Sequence, residues 1–130
     1  RRRIAAGVLL AGVVVSDLAV HAWLPDTAAT DVAGDALYAA AVYLAVIVAA
    51  PRLRAMTVAT ITAAACIAIE LFQLTGIPLA GGIAFPPSML VLGTVFDARD
   101  LVVYVITALV VGAADVAWAA RPSGNAAGAD

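Results

Sequence analysis

Four long apolar runs, separated by arginines and prolines, set the pattern of this chain. Ile4 to Leu24, Val32 to Ala50, Ala55 to Leu74 and Leu101 to Ala120 are each close to the roughly 20 apolar residues that carry a helix across a hydrocarbon core of about 30 Å. Pro51 ends the second run, and Arg121 with Pro122 stops the fourth. The pattern predicts an all-α membrane protein with four transmembrane helices, a single bundle over residues 1–120. A disordered cytoplasmic tail, 121–130, is expected from its Ser, Gly, Asn and Ala content.

The stretch from Gly76 to Ala98 is uncharged up to Asp97 and long enough to span. Pro78, Gly81, Gly82, Pro86 and Pro87 argue against a crossing, because a Pro-Pro pair removes backbone donors that lipid cannot replace. A re-entrant or interfacial segment over residues 77–96, between the third and fourth spans, is therefore expected. The first run has a rival reading as a signal peptide cleaved near Val20-His21-Ala22. Its continuation to Leu24 through Trp23, a good interfacial anchor, favours a span.

Arginine placement orients the bundle, since short cytoplasmic loops collect positive charge. With four spans, Arg1, Arg2, Arg3, Arg52, Arg54 and Arg121 fall on one side and Arg99 on the other. Both termini are then cytoplasmic. A fifth span would exchange Arg99 with Arg121 and leave the tally unchanged, so the prolines decide.

Composition agrees with a bilayer setting: 65% of the 130 residues are hydrophobic, 12% are charged and mean hydropathy is +1.06, leaving too little polar surface for a soluble domain. Seven arginines, no lysine and nine acids sum to −2, which excludes a basic field for nucleic acid. One cysteine, Cys66, allows no internal disulfide, and one histidine cannot build a conventional His/Cys metal site. No metal or cofactor is expected. The expected partners are membrane lipids, with an envelope protein or further copies of this chain as others.

Against this background the polar residues gather at one depth. Glu70 and Gln73, three apart, share a face at the outer end of the third helix. Asp17 and His21 do the same on the first helix, Asp35 and Tyr38 stand near the start of the second, and Asp100 and Tyr104 open the fourth. Thr107, Val111 and Asp115 continue that last stripe inward. A charge at membrane depth costs roughly 2.5 to 3.5 kcal/mol on insertion scales, so these groups should face the bundle interior or a wet cavity.

Two structural explanations compete with a functional one. Polar side chains in membrane helices also act as interhelical glue, worth about 0.6 and up to 2 kcal/mol each. Gln73, Tyr104 and Thr107 fit that role as well as any other. Asp35 and Asp100 stand where an acid caps a helix or complements its dipole. For Glu70, the deepest acid, function is favoured: in its neutral form it could donate a hydrogen bond or relay a proton.

Gly34-Asp35-Ala36-Leu37-Tyr38-Ala39, Pro51, Ile69-Glu70-Leu71-Phe72-Gln73-Leu74, Leu92-Gly93 with Phe96, and Asp100-Leu101 with Tyr104 occur in an order that resembles the small bacterial membrane-protein family of unknown function numbered 2809 (DUF2809). The element from Glu70 to Gln73, followed by an aspartate at the last helix, is also distantly similar to the VanZ-like family associated with glycopeptide-antibiotic resistance. The resemblance implies a multi-pass protein of the bacterial cytoplasmic membrane. It also implies an arginine near the outer end of the first helix, and an arginine with a threonine between the third and fourth. This chain has Ser16-Asp17 and Ala84-Phe85-Pro86 there, leaving Arg99 as the one outer-side cation to pair with Glu70.

The leading expectation is a non-enzymatic envelope protein whose outer-facing pocket, formed by Asp35, Tyr38, Glu70, Gln73, Arg99, Asp100 and Tyr104, binds a lipid headgroup, a cell-wall precursor, a drug or a partner. A second is a membrane enzyme using Glu70 as general acid/base on a lipid-linked substrate; no nucleophile, metal set or phosphate-binding cluster accompanies it. A third is a structural subunit of a membrane complex.

Overall fold

The computed structural model describes residues 1–93 and 95–121. In chain order its elements are α1 (Arg2–Trp23), α2 (Ala28–Ala49), α3 (Ala55–Gln73), α4 (Ile77–Ala84), a 3-10 turn (Pro86–Ser88), α5 (Met89–Leu92) and α6 (Ala98–Ala119). Every regular element among the described residues is helical, and α1, α2, α3 and α6 are long and apolar enough to cross a membrane. The protein is an all-α, multi-pass membrane protein. Of the expected tail, 121–130, only Arg121 is among the described residues, 4.5 Å from the Trp118 ring centroid.

α2 and α6 start earlier than their apolar runs suggest, for a local reason. α2 begins four residues before Val32 because Thr27 caps it: its side chain accepts from the Thr30 N–H at 3.2 Å while Thr30 Oγ1 accepts from the Thr27 N–H at 2.8 Å. α6 begins three residues before Leu101, with Asp97 accepting from the Arg99 N–H at 2.8 Å. The capping duty considered for Asp35 and Asp100 is thus carried by Thr27 and Asp97. Asp100 remains a first-turn acid of α6, while Asp35, deeper in α2, is committed to no helix end.

α2, α3 and α6 pack against one another, and α1 packs along α2. Ala6, Tyr43, Leu44, Ile47, Val58 and Ala59 form one buried cluster; Ala39, Cys66 and Tyr104 form a second. Close approach relies on small residues: a Cβ on Gly112 of α6 would come within 3.1 Å of the Ala59 Cβ on α3. The outward faces carry exposed Ile4, Val8, Leu9, Val15, Val102, Ile106 and Val110, which suit hydrocarbon and would be a liability in water.

One end of the bundle is closed by a polar knot. Arg2 donates to the carbonyls of Pro51 at 2.9 Å and Leu53 at 2.6 Å and pairs with Asp115 of α6. The Tyr43 hydroxyl donates to the same Asp115 carboxylate at 2.9 Å. This knot joins the start of α1, the α2–α3 turn and the last turns of α6. Both described chain ends therefore lie at one end of the bundle, together with Arg52 and Arg54.

The connector at the opposite end does not form a span. α4 starts with Pro78 in its first turn, where a missing N–H costs nothing, and the Pro86-Pro87 pair starts the 3-10 turn for the same reason. The chain doubles back so that Met89 packs onto Gly82, at a distance no Cβ would permit.

Candidate functional site

Asp35 sits two turns inside α2 and Asp100 in the first turn of α6, and these helices bring the two carboxyl groups together. Oδ2 of Asp35 and Oδ1 of Asp100 are both buried without a hydrogen-bond donor. Tyr38, one turn below Asp35, and Tyr104, one turn below Asp100, stack beside them with ring centroids 6.0 Å apart and planes tilted by 53°. The Tyr38 hydroxyl donates to the Val91 carbonyl at 2.6 Å, which ties α2 to the connector.

Glu70 and Gln73 use their shared face on α3 differently. Glu70 is 1% exposed, and its Oε1 accepts from the Asp97 N–H at 2.6 Å, the residue that caps α6. Gln73 donates from Nε2 to the Leu92 carbonyl at 2.9 Å. Together they grip the connector on both sides of its last bend. Gly93 makes this grip geometrically available: its φ of +62° suits glycine, and the Gln73 amide occupies the space a Cβ would take. The co-occurrence of Glu70, Gln73, Leu92-Gly93 and Phe96-Asp97 in the sequence thereby acquires a mechanical meaning.

An open cleft of about 410 Å³ lies over this region. Asp17 and His21 of α1, Asp31, Gly34, Asp35 and Tyr38 of α2, and Gln73 of α3 line it, with Met89, Leu90 and Val91 of the connector and Arg99, Asp100 and Tyr104 of α6. Glu70 is not among the lining residues: it stands behind them, engaged with the backbone of Asp97. Of the seven residues expected to share one site, the structure gathers Asp35, Tyr38, Gln73, Arg99, Asp100 and Tyr104 on the cleft and sets Glu70 apart.

Arg99 does not pair with Glu70. It reaches toward three aspartates, Asp97 at 3.6 Å, Asp100 at 3.7 Å and Asp31 at 3.8 Å, all beyond hydrogen-bonding distance. On the other wall, His21 Nδ1 approaches the Asp17 carbonyl at 2.9 Å and its carboxylate at 3.6 Å. No set of three His, Cys, Asp or Glu side chains suited to a metal ion occurs among the described residues. The cleft thus offers acceptor oxygens, one loosely held guanidinium and two aromatic rings.

The sequence reading missed two contributors, Asp31 and Gly34. Asp31 reads as a first-turn acid, yet it reaches the cleft rim beside Arg99. Gly34 lies against His21, with 3.1 Å from a Cβ position to its Cε1, which lets α1 bring Asp17 and His21 to the cleft. Met89, Leu90 and Val91, in the 77–96 segment expected to lie against the polar residues, form one wall. Glycine at the third position after Asp31, one turn before Tyr38, was the available signal.

The family model described as "Protein of unknown function (DUF2809)" matches residues 24–108, nearly two thirds of the chain, and the chain belongs to that family. No curated protein and no solved structure matches it.

Proposed function

We propose that this member of the DUF2809 family is a non-enzymatic protein of the bacterial cytoplasmic membrane, with its cleft on the side away from the cytoplasm. There it binds the polar part of a lipid, a cell-wall precursor or another small molecule. The carrying observation is that Asp35, Gln73 and Asp100, from three different helices, each present a buried, unpartnered oxygen and all line one cleft. Buried polar atoms are normally satisfied by protein, water or ligand, so three such atoms on residues that line one cleft favour a binding site over glue. The orientation follows from Arg2, Arg52 and Arg54 collecting at the opposite end.

An enzyme built on Glu70 is less well supported, because its carboxyl group is committed to the Asp97 N–H and stands off the cleft. A purely structural subunit accounts for Glu70 and Gln73, and for Asp100 as a first-turn acid of α6, and leaves Asp35 without a purpose.

The test is a photoreactive benzoylphenylalanine at Leu90, a cleft residue 57% exposed. In membranes it should capture a discrete ligand in the native background and lose it when Asp35→Asn and Asp100→Asn are combined. Equal capture in both backgrounds, or none in either, refutes the binding reading.

A further inference from the structure

We infer that the arginine end of the bundle is a binding surface for anionic phospholipid headgroups in the leaflet it faces. It is separate from the cleft, which lies at the other end.

Position comes first. Arg2 donates to the carbonyls of Pro51 and Leu53, which stand on either side of Arg52 and just before Arg54, so the start of α1 lies against the α2–α3 turn. Arg1, Arg3, Arg52 and Arg54 are thereby collected on one surface, and all four are exposed. Arg121, also exposed, joins them from the end of α6, which Asp115 ties to Arg2. Just inside these arginines the same helices expose Ile4, Val8, Met56 and Trp118. Cations that begin and end membrane-spanning helices stand at the depth of the lipid phosphates, their stems lying on apolar surface and their heads in the polar layer.

Charge decides the kind of partner. Among the described residues Asp115 is the one acid at this end, and Arg2 and the Tyr43 hydroxyl already share it. Arg1, Arg3, Arg52, Arg54 and Arg121 are in no ion pair among the described residues. The first turn of α3, directly after Arg54, has neither an acid nor a side-chain cap, unlike α2 and α6 at the far end. Its N–H groups add to a field of the same sign. Orienting a bundle needs charge alone, whereas a guanidinium also offers a planar fork that meets a phosphodiester with two N–H donors, and no lysine shares the task here. The whole chain carries −2, so a preference for anionic lipid has to come from this patch and not from net charge.

The chain's two tryptophans probe the two ends. Trp118, 69% exposed, lies one turn beyond Asp115 with Arg121 over its ring; Trp23, 83% exposed, ends α1 at the opposite end. The protein is reconstituted in phosphatidylcholine vesicles containing a small fraction of phosphatidylglycerol or phosphatidylcholine that carries a doxyl quencher near the headgroup end of one acyl chain. Trp118 is read in Trp23→Phe, and Trp23 in Trp118→Phe. An arginine near an anionic surface favours an anionic lipid by about fivefold, so labelled phosphatidylglycerol should quench Trp118 as though enriched about fivefold or more over labelled phosphatidylcholine. At Trp23 the two lipids should quench alike. Combining Arg1→Gln, Arg3→Gln, Arg52→Gln and Arg54→Gln should bring the two lipids to about equal quenching at Trp118 as well. The comparison of Trp118 with Trp23 uses protein that keeps every arginine, so it decides even if the quadruple variant does not fold. Equal quenching of Trp118 by both lipids overturns the inference and leaves an acidic protein surface as the occupant. The same enrichment at Trp23, or enrichment at Trp118 that survives in the folded quadruple variant, overturns it too. None of these readings bears on the Leu90 photoprobe, which tests the cleft.

Discussion

Asp35 on α2 and Asp100 on α6 lie against each other at the edge of a cleft, each with one buried oxygen that no donor reaches. Neither caps its helix, because Thr27 and Asp97 do. Such a pair is a cost to the protein, and under the proposed binding reading a ligand offsets it.

Stability should therefore rise when the pair is broken. Asp35→Asn and Asp100→Asn, each measured without ligand, should stabilise the protein by roughly 1 kcal/mol through relief of carboxylate repulsion. Steric trapping in bicelles reads the change. A loss of stability in both variants would mean that the pair serves the fold.

Glu70 behaves in the opposite way, as a clamp on the Asp97 N–H. Glu70→Gln keeps an acceptor oxygen in place and should cost about 1 kcal/mol or less. Glu70→Leu strands the N–H at the start of α6 and should cost about 1 to 3 kcal/mol. Equal losses in the two variants would show that the charge of Glu70, and not its acceptor oxygen, holds the connector.

At the arginine end, Asp115 binds both Arg2 and the Tyr43 hydroxyl. Asp115→Leu removes the acceptor that Arg2 and Tyr43 share, leaving Arg2 the Pro51 and Leu53 carbonyls and Tyr43 the Ala55 carbonyl, and should cost about 1 to 3 kcal/mol, discounted for the exposure of Arg2. Tyr43→Phe removes one hydrogen bond and should cost about 0.5 to 1.5 kcal/mol. Hydrogen exchange at the α2–α3 turn should speed up in both, and more in Asp115→Leu. Unchanged protection there would remove the knot from the account of the fold.

Reporters placed before Arg1 and after Arg121 should be read from the same side, the cytoplasm, because the four long helices return the chain to the end at which Arg2 meets Asp115. Reporters on opposite sides would require the 77–96 segment to cross, and would carry Asp100 away from Glu70.

Much of this was legible in the chain. The four spans follow from apolar length alone, and the prolines at 78, 86 and 87 foretold a broken connector. Asp35, Gln73, Asp100 and the two tyrosines were legible as a group because lipid forbids their outward placement at similar depth. The role of Glu70 was not. Its burial suggested chemistry, while its partner is a backbone N–H 27 residues away, which no side-chain spacing encodes. Arg2 and Asp115, 113 residues apart, escaped for the same reason. Depth is written in local sequence; the choice of partner at that depth is made by helix packing.

The proposed division of labour, in which Glu70 grips the connector and the Asp35–Asp100 pair binds the ligand, is tested most directly by native mass spectrometry of protein released from its own membranes. The unaltered protein and Glu70→Gln should carry the same small-molecule or lipid adduct, and Asp35→Asn combined with Asp100→Asn should lose it. An adduct lost in Glu70→Gln and kept in the aspartate variant would return the chemistry to Glu70 and contradict the account.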